Sequence, residues 1–332
     1  MESWVEKIWY GRHPLGLALA PLGWLYSGAA RLRRYAYSRG LLKTKRLHVP
    51  VIVAGNISVG GTGKTPLVIW LASFFKTLGY APGVVGSGYG GLTERWPQQI
   101  RPDSDPTTVG DEAIVLARRC LCSVGAGPDR VATARALIEH SGCDLIISDD
   151  GLQHLGLGRD LEIAVIDGIR RHGNRRCLPA GPLREPISRL KYVDVVVVNG
   201  IAGRGEFPMK YKMLPPRSLL DETREQPLEG FRDREVHAIA GLGNPRRFFS
   251  DLQVQGLKVI QHAFPDHHRF SRRDIDFGDG LPVLMTEKDA VKCRRFAGPE
   301  HWYVPIEAEL PETFEHCLLS LLKRKLDGRE TA

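Results

Sequence analysis

From residue 7 to residue 93 the sequence contains no aspartate or glutamate. Eleven basic side chains stand in that span: Lys7, Arg12, Arg31, Arg33, Arg34, Arg39, Lys43, Lys45, Arg46, Lys64 and Lys76. Against Glu2 and Glu6 they give the first 93 residues a net +9, which leaves −1 for the rest of a chain whose total is +8. Such a surplus suits nucleic acid, an anionic membrane or an acidic substrate, and its place decides among them. CxxC pairs are also missing. The six cysteines, at 120, 122, 143, 177, 293 and 317, fit neither a zinc site nor a disulfide scaffold, so a reducing compartment is expected. The acidic opening Met-Glu-Ser-Trp-Val-Glu, with no small-residue cleavage site, argues against a secretory signal, and the mature chain is expected to begin at Met1. Repeats and low-complexity tracts are absent as well. What is present is an ordinary globular composition, 42% hydrophobic and 25% charged, over 332 residues, enough for two domains of about 150 residues each.

Between Arg12 and Arg31 lie eighteen residues without formal charge, HPLGLALAPLGWLYSGAA, followed by the basic run RLRRYAYSRGLLKTKR. A bilayer span needs about twenty apolar residues. This stretch is shorter, and Pro14, Gly16, Pro21, Gly23 and Gly28 interrupt it. It reads better as an interfacial patch, with Leu15, Leu17, Leu19, Leu22, Trp24, Leu25 and Tyr26 in the headgroup boundary and the neighbouring Arg and Lys on anionic lipid. The alternative is a pair of ordinary helices whose apolar face covers the core.

From Val49 onward short apolar runs alternate with helical stretches, the pattern of a doubly wound α/β protein with buried parallel strands. Strands are predicted at 49–55, 82–87, 143–149, 161–167 and 192–199, and helices at 64–78, 110–120 and 128–141. After a Pro-, Gly- and charge-rich stretch from Gly200 to Arg234, a second cycle has strands at 236–241, 257–262, 282–287 and 302–306, with helices near 245–255 and at 288–294. The expected organisation is therefore an N-terminal apolar and basic segment (1–48), a first lobe (49–215) and a smaller second α/β lobe (216–332).

The first strand runs into Gly-Gly-Thr-Gly-Lys-Thr (60–65) ahead of a helical stretch, which is where a phosphate-binding loop must lie. Backbone N–H groups of residues Ser58, Val59, Gly60, Gly61, Thr62 and Gly63 curl around phosphate oxygens, Lys64 reaches the β/γ-phosphates, and Thr65 offers its hydroxyl to Mg²⁺. Ser58 stands where the usual pattern has glycine. Among phosphate-loop classes, GTPases are disfavoured because Thr286-Glu287-Lys288-Asp289 has the wrong spacing to read guanine. Positioning ATPases are disfavoured because Val59 occupies the place of their extra lysine. Nucleic-acid motors lack support because the basic residues cluster with Leu and Trp and not with a stacking groove. A small-molecule or lipid kinase remains. Other phosphate-loop enzymes, such as a metal-insertion NTPase or an ATP-dependent ligase, and a nucleotide-sensing module without chemistry, are the competing readings.

A kinase needs carboxylates for Mg²⁺ and a group that orients the acceptor hydroxyl. Asp149 and Asp150, in Ser-Asp-Asp-Gly-Leu-Gln-His, end a strand as metal-coordinating carboxylates do, and two adjacent acids there are costly without a cation. Asp111, in VGDEA, lies at a helix N-terminus, where capping is by itself the simpler job. Phe264-Pro265-Asp266-His267-His268 sets a carboxylate beside imidazoles, a base, a metal site or plain polar surface. The stiff loop PAGPLREP (179–186) lines a cleft or only joins strands; spacing does not choose.

Taken in order, GNISVGGTGKTP (55–66), GYGG (88–91), VGDEA (109–113), DDGLQH (149–154), PAGPLREP (179–186), FPDHH (264–268) and TEKDAVK (286–292) make a sequence that resembles the tetraacyldisaccharide 4'-kinase family of lipid A biosynthesis in Gram-negative bacteria. The resemblance runs from the N-terminal segment to about residue 305. One departure is Gly86-Ser87, where the family is expected to carry Ser-Arg. The resemblance implies a phosphate-loop NTPase-type three-layer α/β/α core with a second lobe, and an active site in the cleft between them. It implies ATP and Mg²⁺, with Thr65, Asp149 and Asp150 at the metal. It implies transfer to the 4'-hydroxyl of an acylated glucosamine disaccharide 1-phosphate at the cytoplasmic face of the inner membrane, with an anionic membrane surface and no nucleic acid as partner. By the same likeness Asp111 acts on the hydroxyl with His267 as its partner, and Glu112, Gln153, Glu185 and Asp266 are further site candidates. Oligomeric state is not legible.

Overall fold

A computed structural model describes residues 4–11, 13–93 and 95–330. Glu2, Arg12 and Glu94, which enter the charge pattern above, lie outside the described residues. The strands are β1 (Val51–Gly55), β2 (Pro82–Gly86), β3 (Gln98–Ile100), β4 (Ser123–Ala126), β5 (Leu145–Asp149), β6 (Leu161–Asp167), β7 (Val195–Asn199), β8 (Phe207–Met213), β9 (Arg217–Ser218), β10 (Glu235–Ala240), β11 (Lys258–Ala263), β12 (Val283–Thr286), β13 (His301–Val304) and β14 (Ile306–Glu309). Nine of them form one sheet in the order β14-β8-β7-β6-β1-β5-β2-β4-β3, and five form a second, β11-β10-β12-β13-β9.

The continuous apolar runs are strands because both faces of the sheet are covered. All five residues of β1, β2 and β5 are buried, and burying a Val or Ile side chain completely contributes roughly 1.5–3 kcal/mol. On one face Ile52, Leu71, Phe75, Ile114 and Phe314 form a core with the helices Lys64–Thr77, Asp111–Arg119 and Glu312–Glu330. On the other, Val51, Val53, Ile146 and Leu183 pack with the helix Arg130–Ser141. This is the three-layer arrangement the sequence implied. The inner strands pair in parallel, while β3 and β14 add antiparallel edges. The second sheet is likewise packed on both faces, by Phe231, Phe249 and Trp302 on one and by Phe270, Ile275 and Met285 on the other.

The structure corrects the expected lobe limits. The stretch 302–306 is not one strand: β13 stays in the small sheet, β14 joins the large one, and Pro305 between them has no N–H to continue a ladder. The helix Glu312–Glu330 then buries Phe314, Leu318 and Leu322 in the first lobe's core. The second lobe thus ends near residue 304 and is inserted between β8 and β14, which pair with each other (Met213 opposite Ile306). The stretch 200–234 is also more than a connection, since it supplies β8 and β9.

In the N-terminal segment the helices are Trp4–Tyr10, Leu15–Ala18 and Ala20–Ser38. The last buries only Ala20 and Gly23. Leu15, Leu17, Leu22, Trp24, Leu25 and Tyr26 are exposed, with Trp24 at 72% and Leu25 at 71%, while Leu19 is half-buried. The apolar face therefore does not cover the core. Among the described residues no helix is long and apolar enough to cross a membrane.

Candidate active site

The loop after β1 is shaped by two left-handed glycines. Gly60 has φ +102° and Gly63 φ +93°, and a Cβ on Gly63 would run into the Tyr211 hydroxyl. A Cβ at Gly60 or Gly61 would meet nothing within 4 Å, and both residues line an open cleft of about 800 Å³ between the lobes. Asn56 Nδ2 donates to Thr62 Oγ1 (3.1 Å), and Asn199 Nδ2 to the Thr62 carbonyl (3.4 Å), so the loop is held from behind. Residues 59–65 line the cleft, with Lys64 and Thr65 opening the helix Lys64–Thr77. Ser58 does not line it. It is buried and bridged to Leu183, which together with the Val59 N–H donating to the Pro182 carbonyl (2.8 Å) shows what PAGPLREP does: it backs the phosphate loop.

Asp149 and Asp150 follow at the end of β5, next to β1. Burial raises the Asp149 pKa to about 7, with the Glu112 charge adding to it and Lys64 opposing. Asp150, at φ +49°, has its pKa lowered: burial works against ionisation, and Lys64 (3.7 Å) and Arg184 (2.8 Å) outweigh it. Oδ1 of each carboxylate is buried without a hydrogen-bond partner. Two buried carboxylate oxygens without hydrogen bonds, the Asp150 one facing Lys64 at 3.7 Å, fit Mg²⁺, which takes one or two carboxylates and completes its shell with water and phosphate oxygens. A protein-only cage is not formed: among the described residues no group of three His, Cys, Asp or Glu side chains is placed to hold a metal.

A further part of the wall joins the lobes, with His267 in the lining and Asp111 buried behind it. Asp111 opens its helix after Gly110 (φ +91°), and its buried carboxylate Oδ2 lies 3.3 Å from Nδ1 of His267, whose own φ is +59°. Burial disfavours the Asp111 charge, but the His267 hydrogen bond and the Lys288 and Lys292 ammoniums prevail and hold its pKa at about 2. That same hydrogen bond raises the His267 pKa. Asp266 and Glu112 also line the cleft, and Lys288 bridges them, 3.0 Å from each. Gln153 lines it too, donating to the Asn56 carbonyl (3.0 Å) and to Glu185 (2.8 Å). Glu185 is buried outside the lining, 3.4 Å from Arg189, and supports the loop from behind.

The structure adds Lys288, Lys292, Arg184 and Arg130 to the residues chosen from sequence. Arg130 lines the cleft and donates to the carbonyls of Gly127 (3.0 Å) and Asp149 (3.1 Å). The i, i+4 lysines of TEKDAVK, on the helix Glu287–Cys293, were the available signal.

A family model described as tetraacyldisaccharide-1-P 4'-kinase matches residues 15–323. Similar chains include the tetraacyldisaccharide 4'-kinase of Nitrosococcus oceani, 52% identical over 99% of this chain and 98% of the relative, and that of Alkalilimnicola ehrlichii, 50% identical over 97% and 98%. A solved structure of LpxK from Aquifex aeolicus in complex with ATP superposes with a TM-score of 0.79 at 29% identity, covering 93% of this chain and 99% of that one.

Proposed function

The chain belongs to the tetraacyldisaccharide-1-P 4'-kinase family, and from that premise we propose that it transfers the γ-phosphoryl group of ATP to the 4'-hydroxyl of an acylated glucosamine disaccharide 1-phosphate. The observation that carries this is the 3.3 Å contact between buried Asp111 and His267, which lines the same cleft as the phosphate loop. The residues 59–65 bind the triphosphate through backbone N–H groups and Lys64. Thr65, Asp149 and Asp150 would hold Mg²⁺, which when bound would neutralise charge on the β- and γ-phosphates. The sugar hydroxyl enters against Asp111. Its oxygen bonds to the γ-phosphorus as the bond from that phosphorus to the ADP oxygen breaks, and its proton leaves to the Asp111 carboxylate.

A carboxylate with a pKa of about 2 is a weak base, ionised at any working pH. That suits a loose transition state, in which the attacking hydroxyl needs orientation more than early deprotonation. His267 fixes the carboxylate from the second lobe, so the site is complete only with both lobes in place. Labelled ATP supplied with the purified disaccharide 1-phosphate should give a labelled lipid on thin-layer separation. Asp111→Asn should lower kcat by about 10²–10⁴. Release of ADP without labelled lipid would overturn the assignment.

The enzyme works, on this proposal, at the cytoplasmic face of the inner membrane. What supports this is the exposed face of the helix Ala20–Ser38 beside Arg31, Arg33, Arg34 and Arg39, apolar and cationic surface side by side.

A further inference from the structure

His267 is not the only group on Asp111 Oδ2. Nζ of Lys292, on the helix Glu287–Cys293 of the second lobe, lies 3.5 Å from the same oxygen and 3.0 Å from Asp289 Oδ1. Asp289 is fully buried and fixed, its Oδ2 accepting from the Gly241 N–H (2.8 Å) and the Thr286 hydroxyl (2.7 Å). The Lys292 side chain is 12% exposed and its ammonium sits 5.0 Å from the centre of the Phe270 ring. A buried ammonium needs a carboxylate, and Asp289, one turn earlier on the same helix, already supplies it. The contact that crosses to the other lobe is a second ion pair on that ammonium, and it ends on the carboxylate to which the proposed function gives the acceptor hydroxyl.

We propose that Lys292 is a positioning residue for phosphoryl transfer, gripping Asp111 from the second lobe so that the carboxylate is set only when the lobes are together. This rests on the role given to Asp111 above. The charged groups facing Asp111 are His267, Lys288 and Lys292 from the second lobe, with Glu112 following it on its own helix. Among them Lys292 alone is tied to a second carboxylate with no exposed surface. The chain of contacts runs from Gly241 and Thr286 through Asp289 and Lys292 to Asp111, so the second sheet is linked to the reacting face of the first lobe.

A double-mutant cycle tests this. Lys292→Met should lower kcat by about 10–100-fold with the KM for ATP changed by less than about threefold, and Lys292→Arg should recover most of the loss. In an Asp111→Asn background, Lys292→Met should cost no more than about threefold further, because a residue acting through Asp111 has nothing left to position. Should the methionine variant fail to fold, Lys292→Gln takes its place with the same expectations. Lys292→Met within about twofold of wild type, or losses that multiply in the double variant, would overturn the proposal. Asp111→Asn that keeps its activity would sink the role of Asp111 instead, so the two failures are told apart.

Discussion

Two adjacent carboxylates at the end of β5 have opposite electrostatic fates. Asp149 is pushed up to about 7 by burial, and Asp150 is drawn down by Lys64 and Arg184. The pair itself was legible in the sequence because two acids at a strand end are conspicuous. Their divergence was not, since it depends on how deeply each is buried and on a lysine 86 positions earlier and an arginine 34 positions later pairing with Asp150. His154, in the same motif, shows the same dependence on distant residues. Burial, with Arg130 next, lowers its pKa from 6.5 to about 4, so the folded chain carries it neutral. The sign follows from linkage: its contribution to stability is present above pH 6.5 and is lost as pH falls toward 4, because the unfolded chain binds a proton that the folded one refuses. His154→Gln should therefore lose less melting temperature than wild type between pH 7.5 and pH 5. Equal losses in thermal melts at the two pH values would show that His154 does not govern this limb.

At the scale of elements, the strands most buried on both faces were the most legible, and those that owe their pairing to tertiary context were missed. LEIAVID is β6 over the predicted 161–167, whereas β4, with the small and polar residues SVGA, exists because β2 and β3 flank it. In the helix Ala20–Ser38 the mix of leucine, tryptophan and arginine was evident, and its orientation was not. Only the fold shows that Gly23 lets the helix approach Ala180 closely while Trp24 and Leu25 point away into solvent. If this face meets a membrane, Trp24→Ser with Leu25→Ser should weaken flotation with anionic vesicles by about tenfold or more, given 1.5–3 kcal/mol for each large side chain buried. Raising salt should weaken the wild type as well, since the Arg and Lys attraction is screened beyond about 10 Å at 0.1 M. Unchanged flotation of the double variant would remove the helix from the membrane contact.

For the molecule as a whole, the insertion of one lobe into the other sets the mechanics. The chain leaves the large sheet after β8 and returns at β14, and these strands are paired neighbours, tied further by the Leu214 N–H donating to the Pro305 carbonyl (2.9 Å). Both crossings therefore lie side by side, as a two-stranded junction between the lobes. The lobes are held together by charge and packing: Arg119 with Glu287 (2.8 Å), Lys288 with Glu112 (3.0 Å) and Lys292 with Asp111 (3.5 Å) all link the helix Asp111–Arg119 to the helix Glu287–Cys293, whose Val291 is buried in the first lobe's core. The large sheet is covered mainly by its own helices, the C-terminal one included, with Val291 of the second lobe buried beside them. Excising residues 216–304 and joining the ends of β8 and β14 by a short linker should thus leave a first lobe that melts cooperatively and binds ATP through the intact phosphate loop. Without Asp266, His267 and Lys292 it should transfer no phosphate to the lipid. A truncated lobe with no cooperative melt would mean that the cross-lobe ion pairs belong to the stability of the first core and not only to the closure of the site.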